Sequence, residues 1–168
     1  MEAAMEVSEL DGRALDYWCA RALVDDDEEV RFAEVEPGIV VTLAHGEFRK
    51  LNQRFMPTDE WRDAADILER IRDLQLKTQE GRTHCIARFG DRLDPSEAEG
   101  ANIRVALSRA FVRARFGERV DDRYPREPHA VRRGVVTPLA TGAVPPSPAD
   151  DRAAAGDETG DIRSVPRL

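Results

Sequence analysis

Composition changes abruptly near Asp121, and that break limits what the chain can fold into. Residues 1–121 hold 26 acidic and 18 basic side chains, whereas residues 122–168 hold seven of each, so the whole net charge of −8 lies in the first segment. The second segment carries seven of the ten prolines, including Pro145-Pro146-Ser147-Pro148, and no apolar stripe. A chain of this kind buries too little apolar surface to offset the entropy of ordering it. It reads as a Pro-rich, mostly disordered tail. Within it, only the run Val131-Arg132-Arg133-Gly134-Val135-Val136 could add an edge strand or meet a partner. The fold is therefore expected from residues 1–121, as a single small domain. The whole chain is 41% hydrophobic, 6% aromatic and 35% charged, so a modest core is expected.

Patterning along 1–121 predicts an α+β order of α-β-β-α-β-β-α. Ser8 followed by Asp11 resembles a capping box. Leu10, Ala14, Leu15, Trp18, Ala22 and Leu23 then share one helical face. That helix should stop before Asp25-Asp26-Asp27-Glu28-Glu29, because carboxylates at a helix C-terminus oppose the macrodipole. Val30 and Phe32 alternate with polar residues, Ile39-Val40-Val41-Thr42-Leu43 is a β-branched run, and Glu36-Pro37-Gly38 is a turn between them. A second hairpin is expected from Leu74–Lys77 and Thr83–Ala87, joined through Gln79-Glu80-Gly81. Between the hairpins, Thr58 can cap a helix carrying Trp61, Ala65, Leu68 and Ile71 or Arg72 at helical spacing.

The last helix is predicted to start at Asp94 and Pro95 as N-cap and N1, and to end at Gly117. Ile103, Ala106, Leu107, Ala110, Phe111 and Ala114 form one stripe. Val105, Val112 and Phe116 form another on the opposite side, with Arg104, Arg109, Arg113 and Arg115 along the borders. A helix with two apolar stripes is either central in its own domain or packed on another subunit. Val105, Val112 and Phe116 are accordingly the expected interface of a homo-oligomer.

Chemical motifs are sparse. No apolar stretch reaches the length of a membrane span, and Met1–Glu6 has neither the charge nor the apolar run of a secretory signal, so the expected location is cytoplasmic. Cys19 and Cys85 have no CxxC partner and read as small buried hydrophobes. His45, His84 and His129 lie in separate segments without metal-ligand spacing, so no metal is expected. The sequence carries no GxSxG, GxxxxGK[ST] or GxGxxG, so no catalytic residue and no cofactor is assigned. The excess of acids disfavours nucleic acid, whose non-specific affinity comes chiefly from neutralising phosphates.

One segment stands out: Val7-Ser8-Glu9-Leu10-Asp11-Gly12-Arg13-Ala14-Leu15-Asp16-Tyr17-Trp18-Cys19-Ala20. It resembles the opening of the phage NinX-like family of small proteins, whose pattern reads approximately V-S-E-L-x-G-x-x-L-D-Y-W-V-A. A second block of that family resembles Phe55-Met56-Pro57-Thr58-Asp59-Glu60-Trp61 followed by Ile67-Leu68-Glu69. A third, an alanine-rich helix ending in F-G-D-x-V, resembles Ala106 through Val120. The middle block departs from the pattern: an extra residue separates Pro57 from Trp61, and Ala64-Ala65-Asp66 stands where Gly-Gly-Pro is common. The resemblance implies a phage or prophage accessory protein acting in the host cytoplasm, and nothing more chemical than that.

The preferred reading is a non-enzymatic binder of a host protein or a small ligand. The alternatives are a small enzyme acting on a nucleotide-like metabolite and a nucleic-acid-associated regulator. Phe55, Thr58, Asp59 and Trp61 are the expected recognition residues, since two aromatic rings beside a hydroxyl and a carboxylate suit a partner anchor. A structural reading fits the same residues: Thr58 caps the helix, Asp59 favours its positive end, and Trp61 enters the core.

Overall fold

The computed structural model describes residues 4–24, 29–35, 38–43, 53–91, 94–121, 127–132 and 134–139. The chain enters through a short strand β1 (Ala4–Glu6) and a 3₁₀ turn (Val7–Glu9), then forms helix α1 (Gly12–Leu23). Asp11 occupies the N-cap position, but its side chain makes no capping bond, so the box expected from Ser8 and Asp11 does not form. The helix stops before the acidic run, as charge repulsion requires; residues 25–28 lie outside the described residues. One apolar face was legible in α1, yet every residue from Leu15 to Ala20 is buried, Asp16 included. A helix buried all round is central, and the remaining elements show what encloses it.

On one side lies a five-stranded antiparallel sheet. Strands β2 (Glu29–Val35) and β3 (Gly38–Leu43) form the expected hairpin, with Phe32 opposite Val41; residues 36 and 37 of its turn lie outside the described residues. β4 (Gln53–Phe55) extends it beyond β3. At the other edge, the segment assigned to the tail supplies β9 (His129–Arg132), paired with β2, and β10 (Val135–Pro138), paired with β9. The folded part thus runs past Asp121. Val131 and Arg132 in β9 and Val135 and Val136 in β10 belong to the run that could add an edge strand. The burial of His129, Ala130 and Val131 is what a reading of Pro content misses. Residues 140–168 lie outside the described residues.

Tyr17 binds this sheet to α1. The His129 Nδ1 sits 2.9 Å from the Glu127 carbonyl, which only accepts, so Nδ1 carries the proton. Nε2 therefore accepts from the Tyr17 hydroxyl at 3.0 Å, and the imidazole stacks on Phe32. Burial lowers the pKa of His129 and holds it neutral.

On the other side of the helices lies a three-stranded sheet. After helix α2 (Trp61–Leu68), strands β5 (Ile71–Gln79) and β6 (Arg82–Phe89) form the second expected hairpin, and β7 (Ser96–Gly100) pairs with β6. Thr83, Cys85, Ala87 and Phe89 alternate inward from β6 onto helix α3 (Ile103–Phe116). Burial pushes the Cys85 thiol up to about 11 and the Cys19 thiol well above its ordinary value, so both cysteines pack as inert hydrophobes.

The predicted start of the last helix is corrected here. Ser96-Glu97-Ala98-Glu99-Gly100 has little β-propensity, but β6 pairs along it and α3 holds it from the side. The Ser96 hydroxyl donates to the Ala110 carbonyl at 2.7 Å, while Arg113 and Arg109 donate to the Glu97 and Glu99 carbonyls at 2.8 Å each. The helix is capped instead by Asn102, whose side chain accepts from the Val105 amide at 3.0 Å. Between strand and helix the chain folds so tightly that a Cβ on Gly100 would lie 2.4 Å from the Ala106 nitrogen. Gly117 ends α3 with φ of 91°, and strand β8 (Arg119–Asp121) returns to pair with β1.

α3 packs on β6 and β7 with one stripe and on α1 with the other, so the order of layers is sheet, α3, α1, sheet. The oligomer interface expected at Val105, Val112 and Phe116 is corrected accordingly. Val105 and Val112 are buried within the chain, and Phe116 packs edge-on against Trp18, 5.2 Å between ring centres. Two stripes mean a central helix here, because α1 supplies the second apolar surface. Among the described residues no helix is long and apolar enough to cross a membrane.

Candidate functional site

The loop Met56–Glu60 joins β4 to α2 and sits where α1, α2 and α3 converge. Its shape is set from within by the Asp59 and Glu60 amides, which both donate to the Met56 carbonyl, at 3.0 and 2.7 Å. Three side chains from outside then hold it. Asp63 accepts from the Met56 amide at 2.8 Å, Asp16 accepts from the Thr58 amide at 3.0 Å, and the Arg104 Nε donates to the Thr58 carbonyl at 3.0 Å. The Thr58 peptide is thus gripped from both sides by residues 42 and 46 positions away in the chain.

The four expected recognition residues separate into two pairs. Phe55 and Thr58 are buried and support the loop from below, so neither offers a surface to a partner. Thr58 does not cap α2; that position belongs to Glu60, whose side chain makes no capping bond. Asp59 is exposed. Trp61 is 48% exposed, which rules out its expected place in the core. The guanidinium of Arg104 lies 5.3 Å from the centre of the Trp61 ring, where a cation is attracted to the ring face. Because Arg104 is tied through Nε to Thr58, it holds one face of the indole while the remainder stays open.

Asp16 is the unusual group beneath this surface. It is 1% exposed, and burial pushes its pKa up to about 7; the Thr58 amide opposes that rise, and the charges of Asp59 and Asp63 add to it. Sequence reasoning did not single out Asp16 or Asp63, and it placed Arg104 only among four arginines bordering the last helix. The signal for Asp16 was present as one carboxylate between Leu15 and Tyr17 in a strongly apolar stretch. For Arg104 there was none, because its partner is a backbone carbonyl in a distant loop. Among the described residues no three His, Cys, Asp or Glu side chains are placed to hold a metal ion.

The Asp16–Thr58 bond joins the Leu15-Asp16-Tyr17-Trp18 stretch to the Pro57-Thr58-Asp59-Glu60-Trp61 stretch, so two blocks that carry a family resemblance meet in space. The family described as Bacteriophage P22, NinX matches residues 6–115, which include both blocks and most of α3. The chain belongs to the NinX family. Comparison with curated proteins returns no match. In NinX terms, the matched segment contains every residue of the site, from Asp16 to Arg104.

Proposed function

We propose that this NinX-family chain is a non-enzymatic phage accessory protein that binds a host protein through Asp59, Trp61 and Arg104. The observation that carries this reading is the half-exposed Trp61 held face-on by an anchored arginine. Tryptophan and arginine are the residue types that most often dominate binding energy at protein interfaces. Here both are presented on a loop fixed by three buried or half-buried contacts, so little ordering entropy is left to lose on binding. Trp61 is 48% exposed, and a broad exposed indole suits a protein surface better than a small ligand. A cleft of about 590 Å³ lies elsewhere, between Arg70, Phe89, Phe111 and Arg115. Asp16 has a proton affinity suited to acid–base work, but it lies under Thr58 and out of reach of a solute. The exposed residues Asp59 and Glu60, next to Trp61 in the chain, oppose a nucleic-acid role.

Native mass spectrometry of the chain purified from its host tests the proposal. The parent should carry a stoichiometric protein partner. Trp61→Ala and Asp59→Asn, both at exposed positions, should melt close to the parent and lose that partner. Retention of the partner by both folded variants removes the recognition role of this loop.

A further inference from the structure

The two edges of the three-stranded sheet are treated differently. At β7, Arg109 and Arg113 reach from α3 and occupy the carbonyls of Glu99 and Glu97, so that edge is closed to another strand. At β5, nothing among the described residues pairs with the outer edge, and the strand runs for nine residues from Ile71 to Gln79. Exposed edges are templates for pairing with another chain, and soluble proteins commonly shorten, kink or cover them. β5 is long, and its one irregularity lies between Ile71 and Asp73, at its start.

Its side chains also have a definite pattern. Leu74 and Leu76 stand opposite Ala87 and Cys85 of β6, so they share the face that α3 covers on β6. The helix does not extend over β5, and the two leucines remain 36% and 41% exposed. Asp73 and Lys77 lie on the other face, with Asp73 paired to Arg88 at 3.0 Å.

We propose that β5 pairs antiparallel with β5 of a second copy of this chain, about a two-fold axis at Gln75, to give one continuous six-stranded sheet. The argument is the self-complementarity of Asp73-Leu74-Gln75-Leu76-Lys77. Antiparallel pairing centred on Gln75 sets Leu74 of each copy opposite Leu76 of the other, and Asp73 of each opposite Lys77 of the other. A two-fold interface repeats every contact, so two leucine pairs close on the α3 side and two ion pairs on the opposite side. Lys77 is one of two lysines in a chain whose basic residues are otherwise arginine, and this register gives it a carboxylate. The surface is separate from the Trp61 loop, so dimer formation and partner binding stand or fall independently.

Sedimentation or light scattering of the full chain at high micromolar concentration reads the outcome. The parent should be a dimer. Lys77→Asp opposes two carboxylates at both ends of the strand pair, and Asp73→Lys opposes two ammonium groups. Each should raise the dissociation constant at least about tenfold with the circular dichroism unchanged. Mixing the two variants in equal amounts restores opposite charges across the pair, and the mixture should dimerise where neither variant does alone. A monomeric parent, single variants that remain as dimeric as the parent, or a mixture that stays monomeric would each overturn the proposal.

Discussion

Asp16 and Tyr17 are neighbours on α1, yet they fasten two different regions of the molecule. Consecutive helix residues point about 100° apart, so the two side chains face separate neighbours. Asp16 holds the Met56–Glu60 loop through the Thr58 amide, and Tyr17 holds the β9–β10 hairpin through His129. Burial disfavours the charged form of both titratable groups, but the protons run in opposite directions. Asp16 must keep a proton that a solvated aspartate gives up, while His129 must refuse one that a solvated histidine accepts. The contribution of Asp16 to folding stability is therefore greatest in acid, and that of His129 greatest in base. Two adjacent positions in one helix give the two halves of the fold opposite responses to pH.

The largest expected effect comes from deleting one side of that comparison. Truncation after Asp121 removes the hairpin and exposes the β2 edge, Phe32 and the Tyr17 hydroxyl. The buried side chains of His129, Ala130 and Val131 are lost with it, at a cost of at least about 3 kcal/mol. Thermal and urea denaturation measure this, and an unchanged midpoint would show that the hairpin does not pack on α1.

Asp16→Asn sharpens the other side. The pKa of Asp16 is raised from 3.8 to about 7 on folding, so the folded chain retains a proton that the unfolded chain has released over that interval. Its contribution is complete below about pH 4 and is lost as pH rises through about 7. The asparagine keeps the oxygen that accepts from Thr58 and carries no charge. The variant should be more stable than the parent at pH 8, by on the order of 2–4 kcal/mol, with the difference vanishing toward pH 4. A variant less stable than the parent at pH 8 would mean that Asp16 is held as a paired anion.

Tyr17→Phe has the smallest effect and separates the two regions most cleanly. It leaves His129 Nε2 buried without a donor, at a cost of about 1–2 kcal/mol. Amide exchange should quicken in His129–Arg132 and stay unchanged at Thr58. In the parent, the contribution of His129 is complete above its ordinary pKa of 6.5 and is lost as pH falls through the depressed folded value. Hairpin exchange should therefore accelerate in acid, where the contribution of Asp16 to stability is complete.

Much of the local structure is legible in the amino-acid order. The alternation of Val30 and Phe32, the β-branched run at Ile39–Leu43, and the turn at Glu80-Gly81 specify hairpins because strand period and turn chemistry are local properties. The end of α1 before five carboxylates and the end of α3 at Gly117 follow from the same short-range physics. The two stripes on α3 correctly marked a helix covered on both sides, but periodicity cannot tell a neighbouring helix from a neighbouring subunit. Only the packing of α1 on α3, with Val105 and Val112 buried within the chain, decided that.

The remaining outcomes depended on distant partners. Ser96–Gly100 became a strand because β6 and two arginines of α3 supply its hydrogen bonds, against its own weak propensity. His129–Pro138 joined the sheet because Tyr17 and Phe32 offer His129 a donor and a ring, which no composition count reveals. Trp61 sits at the surface rather than in the core, with the Arg104 guanidinium 5.3 Å from its ring centre. Periodicity and turn chemistry act over a few residues and can be read along the chain. Which buried polar atom meets which, 42 or 112 positions away, is set by how the layers stack, and tertiary structure alone decides it.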